Sequence, residues 1–163
     1  MPSKINASAV PATTTIPYSY RLILTTIEPI LALAGAVLVL ANPATYLASM
    51  TRHSGSIDKN SAFLYTSLSG SWLYFAFVEA IVLRCFDDQR LWRLLCAGML
   101  LSDGGFCHSA AQAVGGWTIW ARVGDWTMEE HMEFWTTAPM VAVRLLIVLG
   151  IGFKTAGVEN KKS

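Results

Sequence analysis

The sequence predicts an all-α membrane protein: a single membrane domain over residues 1–163, folded as a four-transmembrane-helix bundle with N- and C-termini cytoplasmic. Three observations predict it. Hydrophobic residues make up 53% of the 163 positions and charged residues only 14%, against roughly 25% charged in soluble domains. The apolar residues gather into four runs, each close to the ~20 residues a helix needs to cross the hydrocarbon core. Lysine and arginine are distributed unevenly around those runs.

The elements follow in chain order. Residues 1–20 are polar, proline-containing and nearly uncharged, which predicts a loose segment. A first helix over about 20–41 is too long for the apolar part of a cleaved signal peptide. It ends at Asn42-Pro43, because the residue before a proline is driven out of the helical region. A second helix over about 61–84 is closed by the charged turn Arg84, Asp87, Asp88 and Arg90, short enough to join antiparallel neighbours. A third, about 90–114, stops at Gly115-Gly116, and a fourth, about 134–154, stops at Lys154.

Between the last two helices, residues 115–133 form an amphipathic, Trp-rich loop holding Trp117, Trp120 and Trp126 beside Arg122, Asp125, Glu129 and Glu130. Such a segment lies at headgroup level as an aromatic belt or lids a cavity. On the third helix Gly98, Ser102, Gly105, Ser109 and Gln112 recur every three or four residues, as do Ser67, Gly70, Ser71 and Tyr74 on the second. These stripes predict close helix–helix contact.

Orientation rests on basic residues outside the runs. Lys4, Arg21, Arg84, Arg90, Arg93, Lys154, Lys161 and Lys162 lie on the side of the termini and second loop, against Arg52, Lys59 and Arg122 on the other. No charge tract suits nucleic acid. Cys85, Cys96 and Cys107 are too few and ill-placed for a disulfide framework, and Cys96 and Cys107, about 16 Å apart along one helix, cannot bridge. The histidines His53, His108 and His131 are widely separated, so no metal-ligand spacing appears, nor does a phosphate loop, nucleophile elbow or dinucleotide fingerprint.

Four ionisable residues fall inside the runs, one per helix: Glu28, Glu79, Asp103 and Arg144. A charge at the centre of a membrane helix costs at least about 2.5–3.5 kcal/mol on insertion scales, so such residues usually face a cavity or a partner. The rise per residue sets Glu28 and Glu79 roughly 6–9 Å from the cytoplasmic boundary and Asp103 and Arg144 roughly 14–18 Å in, on two levels. Asp103 then pairs with Arg144, Glu28 has Arg21 two turns away, and Glu79 reaches toward Arg84.

Helical angles place Tyr65, Trp72 and Phe75 near Glu79, Trp92 and Met99 on the Asp103 face, and Thr137, Met140 and Glu133 beside Arg144. His108 falls roughly 140° around the helix from Asp103, against a direct dyad; it is either a polar group facing a neighbouring helix or a substrate contact. The resulting pocket is greasy and aromatic with acids on one wall, and opens toward the cytoplasmic half. It suits a lipophilic small-molecule substrate bearing one reactive polar group. Carboxyl groups held apart in low dielectric can take opposite protonation states and supply an acid and a base together. A buried polar network that fixes helix register would also account for the four residues, though three acids to one arginine is a poor ratio for that role alone.

Glu28-Pro29, Asn42-Pro43, Phe75-Ala76-Phe77-Val78-Glu79 leading to Val82-Leu83-Arg84, Trp92-Arg93 and Asp103 together resemble a family of small fungal four-helix membrane proteins, over most of residues 18–153. Some members act in polyketide pathways of the aurovertin and citreoviridin type as epoxide hydrolases or epoxide-opening cyclases. The resemblance implies an integral membrane enzyme of the endoplasmic reticulum that opens an epoxide without metal or organic cofactor. It implies Glu28, Glu79, Asp103 and Arg144 as the catalytic set; on our reading of the residues Asp103 and Glu79 are acid and base in either order, Glu28 assists, and Arg144 sets their charge. Tyr65, Trp72, Phe75, Trp92, Met99, His108, Thr137 and Met140 would then contact the substrate. Fungal membrane terpene cyclases, longer and with more spans, are similar in using acids in a helical bundle and imply a proton-initiated cyclase as the rival enzyme. A non-catalytic protein that binds a lipid or sterol, or supports assembly, is the rival outside enzymes. Membrane lipid is an expected neighbour, nucleic acid is not, and a homodimer is an open option.

Overall fold

A computed structural model describes residues 10–154. Among these the regular elements are all helical, without strands. The short helices α1 (Ala12–Thr15) and α2 (Tyr18–Leu22) lead through a π-helical turn at Ile23–Ile27 into α3 (Glu28–Ala41), and α4 (Pro43–Met50) follows. Next come α5 (Ala62–Phe77), a second π-helical turn at Val78–Val82, and α6 (Leu83–Cys85). α7 (Gln89–Ala113), α8 (Trp117–Trp120) and α9 (Met128–Leu149) complete the fold. α3 lies along α5, α7 lies along α9, and the two π turns pack against each other.

Three continuous helical rods are long and apolar enough to cross a membrane: Tyr18–Ala41, Ala62–Cys85 and Met128–Leu149, with mean hydropathy 2.2, 1.4 and 1.5. That is the requirement for an integral membrane protein. α7 is longer, at 25 residues, but Arg90, Arg93, Asp103, His108 and Gln112 keep it outside that set.

Several boundaries depart from the sequence expectation, each for a local reason. Asn42-Pro43 ends α3 and also starts α4: the Asn42 side chain accepts from the Thr45 N–H at 3.2 Å, and Pro43 stands where its missing N–H costs nothing. α9 begins at Met128, six residues before the expected start, because Thr127 and Glu130 form a capping box. Residues 10–20 are not loose. Ala12 and Ile16 are fully buried in a core with Leu24, Leu83, Trp92, Cys96, Val143 and Ile147. The segment is tied down by Gln89 N–H to the Val10 carbonyl, by Lys154 N–H to the Thr15 carbonyl, and by Thr13, whose N–H and hydroxyl both donate to Asp87. Residues 1–9, with Lys4, and 155–163, with Lys161 and Lys162, lie outside the described residues.

The small-residue stripes do not mediate the packing. Gly98, Ser102, Gly105, Ser109 and Gln112 are all exposed on α7, and a Cβ added at Gly70, Gly98 or Gly105 would meet nothing. The close approach is between α3 and α5, where Gly35 lies so near the Trp72 ring that a Cβ would overlap it, and the Ser69 hydroxyl donates to the Ala36 carbonyl at 3.2 Å.

Candidate active site

The four ionisable residues meet at one point. Arg144 Nη1 donates to both oxygens of Asp103, at 2.5 and 2.6 Å, and Nη2 donates to Glu79 Oε1 at 2.8 Å and to Glu28 Oε1. Each of α3, the second π turn, α7 and α9 contributes one residue. Glu79 is fully buried and Arg144 nearly so, and the guanidinium lies 5.8 Å from the Phe75 ring centroid.

The four residues meet on one level rather than on two, and the π turns set the direction in which Glu28 and Glu79 face. A π turn closes on the fifth residue instead of the fourth and advances the side chains around the axis. One such turn immediately precedes Glu28 and the other contains Glu79. The Arg84 guanidinium donates to the Thr25 carbonyl at 2.6 Å and the Thr26 hydroxyl at 2.9 Å, which locks the turns together. Neither expected snorkelling pair forms: Arg84 is engaged there rather than with Glu79, and Arg21 Nε donates to the Ile16 carbonyl rather than to Glu28.

The cluster floors a cavity of about 350 Å³. Trp72, Phe75, Thr137 and Met140 line it, as the helical angles predict. So do Ala32 and Leu38 of α3, and Tyr46, Ser49 and Met50 of α4. From Arg144 up to Glu133 along α9 is about 16 Å at 1.5 Å per residue. The cavity opens toward the first and third loops, not toward the end carrying the N-terminal segment. That end is sealed by the core around Leu24, Trp92 and Ile147.

Four expected substrate contacts lie elsewhere. Trp92 and Met99 share a helix face with Asp103 but sit below the floor, both buried, with the Trp92 Nε1 donating to the Phe86 carbonyl at 3.1 Å. Tyr65 stands behind Tyr46, edge-on at 6.5 Å between ring centroids, because α4 interposes. His108 is exposed, turned away as its angle predicts, and accepts from Trp117 Nε1 at 3.1 Å.

Among the lining residues outside the expected set, Tyr46 and Glu133 are ionisable and largely buried. Burial, with Glu133 and Tyr65 nearby, pushes the Tyr46 phenol up to about 12, so it stays a neutral donor at the rim. Glu133, placed only beside Arg144 by the angles, lines the cavity well above the cluster and keeps a buried Oε1 with no hydrogen-bond partner among the described residues. Glu28 Oε2 and Glu79 Oε2 are likewise buried without partners. At the rim Arg52 holds Glu130 by two hydrogen bonds, both 2.9 Å, and so joins the end of α4 to the start of α9.

The residues that build this cluster all fall within the match to a family described as a domain of unknown function (DUF7704), which spans residues 13–154, and the chain belongs to that family. No curated protein and no solved structure matches it.

Proposed function

We propose that the chain is a membrane enzyme of the endoplasmic reticulum that opens an epoxide on a lipophilic, polyketide-type substrate by carboxyl acid–base chemistry. No metal or organic cofactor takes part in this scheme. One observation carries it: three carboxyl groups converge on a single guanidinium at the blind end of a largely apolar cavity. One guanidinium cannot balance three buried carboxylates, so at least one of the three holds a proton.

Asp103, with both oxygens on Nη1, is the counter-ion of Arg144. Glu28 and Glu79 share Nη2, and each keeps one oxygen free. A single proton divides that pair into an acid and a base. The proton work therefore moves from Asp103 and Glu79 to Glu28 and Glu79. The protonated carboxyl delivers its proton to the epoxide oxygen as the C–O bond breaks. Water, or a hydroxyl of the substrate, attacks the carbon, and the carboxylate takes the proton that the attacking oxygen sheds. One proton is given and one received, and the product is a diol or a cyclic ether.

The topology in this proposal has four spans with both termini cytoplasmic. α7 is the fourth, since it lies along α9 and turns Leu94 and Leu101 outward, 70% and 81% exposed, while Asp103 faces Arg144. The basic-residue count then sets the cavity mouth on the lumenal side.

Purified protein in nanodiscs should convert a lipophilic epoxide polyene to a diol carrying oxygen from labelled water, or to a cyclic ether without label. Glu28→Gln and Glu79→Gln should each slow it by about a hundredfold or more; full rate in Glu79→Gln overturns the assignment. New carbon–carbon bonds in the product would instead favour a proton-initiated cyclase. A second reading has its own support, because Arg144 ties four helical segments together as a structural staple would. Under it, in a non-catalytic lipid-binding or assembly protein, the same variants lower thermal stability and the wild type turns over no epoxide.

A further inference from the structure

Beside the acid-floored cavity lies a second, of about 260 Å³, between α7 and α9. Residues of α7 and α9 form most of its wall, among them Ala110 of α7 and Ala138, Val141 and Leu145 of α9, with Val114 capping α7, and no residue of α3 or α5 contributes. Ala142 and Leu145, also in its lining, are exposed on a helix apolar enough to cross the membrane. The cavity therefore reaches the surface where that helix would meet hydrocarbon.

Its inner end meets the first cavity. Met50, Phe106, Glu133 and Thr137 line both, so the partition there is one side chain thick. The charged residues in the second lining are both acids: Glu130, neutralised by Arg52, and Glu133. An anionic phospholipid headgroup would find no cation within it. A hydrocarbon chain with an uncharged head fits the apolar wall, and the head would pass the partition toward Glu28 and Glu79.

We propose that the two cavities hold one molecule, a single-chain neutral amphiphile that enters from the bilayer through the α7–α9 cleft, keeps its tail there and carries its polar group to the acid cluster. The identity of that group rests on the epoxide reading; the tail site does not. Phe106 and Thr137 form the gate, and Glu133, which lines both cavities and keeps an unpartnered Oε1, is the polar group the head meets at it.

The test uses full-length protein in nanodiscs of unbrominated phospholipid. The probes are short-chain and long-chain terminal epoxides, the longer also supplied with bromine at its far end to quench tryptophan fluorescence. Trp120 and Trp126 line the second cavity. The brominated long chain should quench saturably, and most of that quenching should vanish in the Trp120→Phe/Trp126→Phe variant but persist in Trp117→Phe. Ala138→Leu with Ala142→Leu should cut the preference for the long chain over the short at least about tenfold, since each buried methylene is worth about fourfold in affinity.

Quenching indifferent to the two phenylalanine substitutions overturns the proposal. So does brominated bilayer phospholipid that quenches the same two tryptophans and is not displaced by the epoxide. If the leucine variants fail to fold, the tryptophan substitutions decide alone. Binding of this kind without any turnover keeps the tail site and removes the epoxide chemistry.

Discussion

The two ends of the bundle, on either side of Arg144, are built on opposite principles. At the sealed end, Ala12, Leu24, Cys96 and Ile147 have no accessible surface, and backbone hydrogen bonds join the N-terminal segment to α7 and to Lys154. At the open end α3 and α5 still touch at Gly35 and Trp72, but α4 and α9 stand across a cavity and meet through Arg52 with Glu130 and His53 with Glu129, from two residues in left-handed conformation at φ 50° and 62°. Packing that is strong at one end leaves the other free to be hollow. The acid cluster sits at the boundary, where it is both the floor of the hollow and the last tie of the packed half.

The sharpest way to break that division is to remove the guanidinium at the boundary. Arg144→Leu leaves Glu28, Glu79 and Asp103 buried against one another with no cation, a loss of roughly 3–5 kcal/mol for a broken buried pair. Thermal unfolding in detergent should fall steeply, or the protein should fail to accumulate. A variant that also carries Glu28→Gln, Glu79→Gln and Asp103→Asn should recover much of the loss, because the uncompensated charge is gone. Unaltered melting in Arg144→Leu would mean that the cluster ties nothing.

A paired comparison of the two ends comes next. Ile147→Ala empties a fully buried site in the sealed core and should cost about 2–5 kcal/mol. Arg52→Ala removes a pair whose arginine is 24% and whose glutamate is 6% accessible, and should cost about 1–2 kcal/mol, above an exposed pair and below a fully buried one. Equal losses in thermal unfolding would contradict the asymmetry.

What the sequence made legible follows from the range of each signal. Helical content, the long apolar rods and the four ionisable residues are written in local composition and in the cost of charge in hydrocarbon, and each could be read one segment at a time. The start of α9 was also written locally, as Thr127-Met128-Glu129-Glu130, but the tryptophans around it drew that stretch into a loop. Convergence of the acids was not legible. It depends on π turns at Ile23–Ile27 and Val78–Val82, and a one-residue slip in helical phase leaves no mark in apolar runs such as Ile-Leu-Thr-Thr-Ile. Trp92 and Met99 show the same limit: a helical wheel gives the face, while the depth at which a cavity ends is set by other segments, here by Ala12 and Ile16 docking from the N-terminus.

That docking gives the smallest effect and the finest test of the sealed end. Thr13 donates its N–H and its hydroxyl to the Asp87 carboxylate, both at 2.7 Å. These bonds, the hydroxyl's above all, hold the Asp87 carboxyl below its ordinary value of 3.8. A carboxyl depressed in the folded state contributes its stability fully above the unfolded value and loses it as the pH falls through the folded one. Hydrogen exchange at the Thr13 amide should therefore be slow at neutral pH and accelerate relative to its intrinsic rate once the pH drops below that ordinary value, while amides of the central α9 turns stay protected. In Asp87→Asn the step should disappear, since an amide keeps an acceptor oxygen but has no proton to gain in this range. A step that persists in that variant would assign the acid sensitivity to another group and leave the Thr13–Asp87 tie without a part in closing the bundle.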